Sequence, residues 1–223
     1  YTYTAGFGNA SWLSGKSIRA ITEDKQGGLW VAVSGEGLIR FDKVTCKFSE
    51  QYVLDETKND PSNGLMSNHI KSIVVDEHNR LWLATDNGLT VFNPSTKTFY
   101  TYLPGADKST GLPNPFVKAL CFDRQGHLWI GTDGGLSKAT LKNGRILAFE
   151  SFYADGSKST SNSNDLIKAL LEDQAGNIWI ASDFGLSIYD PETNFFFRWR
   201  HNPDDEQSIG SNYCRGLLQD KQG

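Results

Sequence analysis

Cysteine is scarce in this 223-residue chain: Cys46, Cys121 and Cys214 make an odd set with no Cys-x-x-Cys pair. That argues against a disulfide scaffold and against a cysteine zinc site. Cys121 and Cys214 stand in apolar runs and are expected to act as small buried hydrophobes. Methionine occurs once. No apolar stretch approaches the ~18 residues of a membrane span, and no charged-then-apolar leader stands at Tyr1. A basic surplus is also missing; the formal charge is −4 with acids and bases interspersed, which disfavours nucleic acid as a partner. There is no Gly-x-Ser-x-Gly elbow, no His-Glu-x-x-His and no phosphate-binding glycine loop. The four histidines, His69, His78, His127 and His201, are scattered. No catalytic set, metal site or cofactor is expected from these residues. Helical 3.6 periodicity is absent as well.

What the chain does have is glycine, aromatics and a repeat. Ile18-Arg19-Ala20-Ile21, Asp24, Gly27, Leu29-Trp30-Val31-Ala32, Gly37-Leu38 and Phe41-Asp42 form the first copy. The same order returns around Trp82, Trp129 and Trp179, at spacings of 52, 47 and 50 residues. A fifth copy opens at Cys214-Arg215-Gly216-Leu217. Units near 40–50 residues with four short strands are the signature of β-propeller blades. Leu29 to Val33 is apolar on both alternating faces, as in a strand sandwiched between neighbouring sheets. Asp24-Lys25-Gln26-Gly27 before it reads as a tight hairpin, and Asn79 replaces the turn glycine in the second copy. Leu38 to Phe41 is expected as a third strand and Phe48 to Val53 as an outer fourth.

The fold class predicted is all-β, with blades of four antiparallel strands and about four and a half repeats. Blade units are placed at about 13–54, 65–103, 112–153 and 162–200, with a partial fifth from 209. Tyr1-Thr2-Tyr3 reads as the outer strand of an earlier blade. The array is expected to be a fragment of a larger, seven-bladed type propeller, with a four-bladed closure as the alternative.

The repeat resembles the two-component regulator propeller repeat. The segments that carry the resemblance are Asp123-Arg124-Gln125-Gly126-His127-Leu128-Trp129-Ile130-Gly131-Thr132-Asp133-Gly134-Gly135-Leu136 and Tyr189-Asp190-Pro191-Glu192-Thr193. The linker from His201 to Asn212 is also typical. The first copy departs, with Val33-Ser34 where the pattern has Gly-Thr. The resemblance implies the extracytoplasmic, periplasmic sensor region of an inner-membrane receptor whose output is a histidine kinase or a diguanylate cyclase. It further implies an oligosaccharide or another small polar ligand, signalling with a possible homodimer, and membrane attachment only through segments outside these residues. A protein-interaction scaffold is the alternative, and a propeller polysaccharide lyase or glycosidase a third class.

Residues demanded in every copy serve folding, so Asp24, Asp76, Asp123, Asp173 and Asp220 read as turn caps. Binding is expected where copies disagree on one face. Asp86, Asp133 and Asp183 of the second-to-third-strand turns either accept ligand hydroxyls or shape the turn. Phe184 is a stacking platform or covers a loop. Asn68, His69, Phe116 and Tyr213 are placed near the mouth of a central channel. Arg19, Lys71, Lys118, Lys168 and Arg215 put one cation on each innermost strand. They either attract an anionic ligand or pair with neighbouring carboxylates.

Overall fold

The computed structural model describes residues 15–57, 60, 64–105, 111–152 and 166–220. The outer strand expected at Tyr1-Thr2-Tyr3 lies outside these residues. The chain divides into two compact units, Tyr1–Leu103 and Pro104–Gly223. Each holds two sheets of four antiparallel strands in simple sequence order. In the first unit these are β1 (Ile18–Glu23), β2 (Leu29–Val33), β3 (Gly37–Asp42) and β4 (Lys47–Tyr52), then β5 (Ile70–Val75), β6 (Leu81–Thr85), β7 (Gly88–Asn93) and β8 (Thr98–Tyr102). In the second unit they are β9 (Val117–Phe122), β10 (Leu128–Thr132), β11 (Gly135–Lys142) and β12 (Arg145–Phe152), then β13 (Ile167–Glu172), β14 (Ile178–Ser182), β15 (Gly185–Asp190) and β16 (Phe195–Trp199). These are the predicted blades.

A single local device repeats in all four. Asp24 Oδ1 accepts the amides of Gln26 and Gly28, and its Oδ2 accepts Nε1 of Trp30 at 2.7 Å. Asp76, Asp123 and Asp173 hold Trp82, Trp129 and Trp179 in the same way at 2.8–2.9 Å. The turn between them needs a left-handed residue; Gly27 has φ +82° and Asn79 fills the equivalent place at +62°. A side chain four residues on adds to the clip: Arg80, His127 and Asn177 each bond the second oxygen of their aspartate. His127 is therefore partly buried against Asp123.

Within each unit the sheets stack face to face. β1 lies beside β5, and β9 beside β13. In the first unit Trp30 and Tyr52 are covered by Phe92 of the next sheet, with ring centroids 5.4 and 4.6 Å away. In the second unit Tyr189 sits 5.2 Å from both Trp129 and Phe152. Trp30, Trp82 and Trp129 are fully buried. Each such ring takes about 150–250 Å² out of water, a gross gain of about 4–6 kcal/mol.

Two expectations need correction. Cys121 and Cys214 are partly, not fully, buried, and Cys46 is exposed. Burial still pushes the Cys121 thiol above its ordinary range, with nearby Glu172 and Asp123 adding to the rise. The fifth inner strand expected from Cys214 is not formed; residues 212–220 run without strand pairing. An inner strand is made by its hydrogen bonds to the second strand of its own sheet. None of the described residues supplies that partner.

Candidate functional site

The turns joining second to third strands are built to carry a variable residue. Thr85 Oγ1 donates to the carbonyl of Gly88 and accepts the amide of Asn87. Thr132 brackets Gly134 and Gly135 alike, and Ser182 brackets Phe184 and Gly185. The closing glycine is obligatory: Gly185 has φ +119°, and a Cβ there would lie 2.4 Å from the carbonyl oxygen of Trp199. The first sheet lacks this bracket because Val33 stands where the others have Thr or Ser, and its loop Ser34-Gly35-Glu36 is one residue longer.

The first residue of each two-residue turn is fixed twice. The amides of Asp86, Asp133 and Asp183 donate to the carbonyls of His69, Phe116 and Leu166. Their carboxylates pair with the inner-strand lysines of the same sheet: Lys71–Asp86 at 2.9 Å, Lys118–Asp133 at 3.3 Å and Lys168–Asp183 at 2.9 Å. Three of the five predicted cations are therefore paired, and the anionic-ligand alternative loses its charge at Lys71, Lys118 and Lys168. Arg19 and Arg215 are exposed and make no ion pair with a described residue. In the first sheet, where Ser34 replaces the aspartate, Lys16 pairs with Glu36 at 2.8 Å. Lys118 also stands 5.2 Å from the ring centroid of Phe116.

In the first unit, His69 is exposed and its Nδ1 lies 3.3 Å from Ser34 Oγ. Asn68 ties the linker down. Its Oδ1 accepts the amide of Leu54 at 2.7 Å and its carbonyl accepts Gly35, so it latches the linker to the turn of the preceding sheet. Asn212 repeats the latch in the second unit, through His201 and Gly185. The serine just before each asparagine accepts an amide two residues on, Ser67 from His69 and Ser211 from Tyr213.

In the second unit the predicted residues Asp183, Phe184 and Tyr213 come together. With Leu166 and Asn212 they line an open depression of about 400 Å³. Phe184 and Tyr213 are 49% and 69% exposed. Their backbones are tied to each other's segment through Gly185–Asn212 and Cys214–Ser182 hydrogen bonds of 2.8 and 3.0 Å. Asp183 Oδ1 and its equivalent Asp133 Oδ1 are buried and accept no hydrogen bond from the described residues. The arrangement offers two ring faces, an aliphatic floor from Leu166 and a lysine-paired carboxylate. It suits a ring-shaped polar molecule with little net charge.

A model of the two-component regulator propeller repeat matches residues 13–35, 64–87, 111–134 and 161–184. No curated protein matches the chain. Among solved structures, the extracellular domain of the putative one component system BT4673 from B. thetaiotaomicron is 25% identical, with a TM-score of 0.71 over 92% of this chain and 25% of that one. A second structure of a BT4673 extracellular domain, described as a putative hybrid two component system, is 26% identical, with a TM-score of 0.67 over 88% of this chain and 24% of that one. This chain thus spans about a quarter of their length. Virginiamycin B lyase from Staphylococcus aureus shares the fold alone, at 9% identity and a TM-score of 0.59 over 91% of this chain and 60% of that one. Four matched repeats, each folded as a four-stranded sheet around its Asp–Trp clip, place the chain in the family of two-component regulator propeller repeats.

Proposed function

We propose that this chain is part of a ligand-sensing propeller region of a two-component-type receptor, displayed outside the cytoplasm, and that it binds an uncharged oligosaccharide or similar small polar ligand without transforming it. The observation that carries the reading is the exposed pair Phe184 and Tyr213 beside Asp183. Turn geometry does not require an aromatic at position 184, since Asn87 and Gly134 occupy the same place. Exposed rings on a rigid scaffold fit stacking against the apolar face of a sugar, and the carboxylate fits its hydroxyls. Pairing of Lys71, Lys118 and Lys168 favours a neutral ligand over an acidic one. The likeness to extracellular domains of signalling systems supports the sensor role and the location.

A thermal-shift screen against neutral and acidic oligosaccharides tests this, because a ligand that binds only the folded state raises the melting temperature by mass action. A neutral oligosaccharide should raise it, and Phe184→Ala or Tyr213→Ala should abolish the rise while leaving the unliganded melting temperature nearly unchanged. No shift with any neutral saccharide, or a shift indifferent to both substitutions, refutes the reading.

A further inference from the structure

Three sheets carry the same ion pair at the same place, an inner-strand lysine on the aspartate that opens the turn between second and third strands. In the fourth sheet Lys168 Nζ lies 2.9 Å from Asp183 Oδ2, with the two side chains 25% and 19% exposed. This pair is not what folds the turn. Ser182 already brackets it through Phe184 and Gly185, and the Asp183 amide donates to the carbonyl of Leu166. The first sheet reverses direction at the equivalent place without the pair. Ser34 stands there in the aspartate's position, and the inner-strand cation Arg19 is exposed and makes no ion pair with a described residue.

At Asp183 the pair stands beside the depression formed by Phe184 and Tyr213. Asp183 is the one charged residue among the described residues that line it; Leu166, Asn212 and the two rings complete the wall. Lys168 lies behind Asp183 and is not part of that lining. The second carboxylate oxygen, Oδ1, is buried and accepts no hydrogen bond from the described residues. The charge of Asp183 is therefore answered by Lys168. A paired charge presents a dipole, whose field falls away faster than that of the bare carboxylate. At a partly desolvated site an unpaired charge would act on a ligand more strongly than it does in water.

We infer that Lys168 is a specificity-determining residue that acts through Asp183 and sets the charge class of the bound molecule, an inference that rests on the saccharide reading above. With the pair intact the depression is neutral. A saccharide bearing free amines gives up water around its ammonium groups and finds no bare carboxylate in return. One bearing carboxylates finds no unspent cation, because the ammonium of Lys168 is held by Asp183. Neutral hydroxyls are left as the groups that lose nothing on entering. The rings supply the attraction, and the lysine decides which saccharides are refused.

The test compares the parent, Lys168→Met, Asp183→Asn and the double variant by thermal shift in low salt at about pH 6, where amines are charged. Each is measured against neutral malto- and cello-oligosaccharides, glucosamine oligomers and galacturonate oligomers. The parent should prefer a neutral saccharide. Lys168→Met should move the preference towards the glucosamine oligomers by roughly tenfold in the ratio of affinities, and Asp183→Asn towards the galacturonates by a similar factor. The double variant should return to the neutral preference, because its charge is again balanced. Asp183→Asn carries the test on its own if Lys168→Met fails to fold. A merely structural pair would lower the unliganded melting temperature of the variants without reordering the three saccharide classes, and that result overturns the inference. So does a double variant that keeps a charged preference, or a parent that already prefers a charged saccharide. No shift of the parent with any class refutes the proposed function and this inference with it. A neutral shift that Phe184→Ala abolishes and the charge variants leave unchanged overturns this inference alone.

Discussion

Asp24 and Trp30 are joined by a 2.7 Å hydrogen bond from the indole nitrogen to Oδ2, across a hairpin of the same sheet. The aspartate thus satisfies two turn amides and the only polar atom of a fully buried ring at once. Asp24→Ala should orphan three donors and cost about 2–4 kcal/mol, read as a lower urea midpoint. Asp24→Asn should cost less than alanine, because one carbonyl oxygen still accepts. An alanine variant as stable as the parent would show that the clip contributes nothing.

The acid limb of stability should depend on Asp173. Burial pushes its carboxyl up, but donors from the Trp179 and Asn177 side chains and the Asn177 and Ala175 amides outweigh this and hold it below the usual range. A carboxyl depressed in the folded state contributes stability above its unfolded value of about 3.9, and loses it as pH falls through the folded value. Asp42 is held down by the amides of Thr45 and Val44, and Asp190 chiefly by the Thr193 hydroxyl, so both act in the same direction. Melting curves between about pH 2 and 5 should therefore steepen below about pH 4. Asp173→Asn should flatten that limb while lowering stability at neutral pH.

The three thiols should separate by rate. Cys46 is exposed in the β3–β4 turn, while burial raises Cys121. Thiolate is the reactive form, so at pH 8 a disulfide reagent should modify Cys46 first and Cys121 last. Peptide mapping of partly labelled protein checks the order, and early labelling of Cys121 would contradict the packing around it.

Turn glycines should fall into two classes. Gly185→Ala meets the carbonyl of Trp199 and a left-handed φ together, so it should cost about 2 kcal/mol or more. Gly126 has φ +83° but open space around it, and Asn79 shows that asparagine accepts that place. Gly126→Asn should stay within about 1 kcal/mol of the parent. Chemical denaturation of both variants provides the comparison.

The blades were readable because their signals are local. Period-2 strands, a turn at Asp-x-x-Gly and the recurring Leu-Trp strand all act over a few residues, and all four sheets follow them. The indole bond to the turn aspartate was not readable, since it is a side-chain contact between two positions each explained by other means. The bond from the Leu54 amide to Asn68 Oδ1 is hidden for the same reason. Of the positions where copies differ, Phe184 and Tyr213 line one depression with Asp183. The lysines were ambiguous because only the fold shows that the turn aspartates meet them within 2.9–3.3 Å. Residues 214–220 carry inner-strand sequence but no strand, because pairing and not propensity makes a strand.

The Thr–Gly bracket around positions 87, 134 and 184 has one more consequence. It holds the turn through a hydroxyl and a glycine carbonyl on either side, so asparagine, glycine and phenylalanine all sit there without altering the loop. What each place tolerates is then decided by the linker opposite: a Cβ at Gly134 would lie 2.8 Å from that of Asn114, whereas Asn87 donates to the carbonyl of Met66 and Phe184 stands half exposed. Turn and linker must therefore change together at Gly134, while the turns at Asn87 and Phe184 can vary alone.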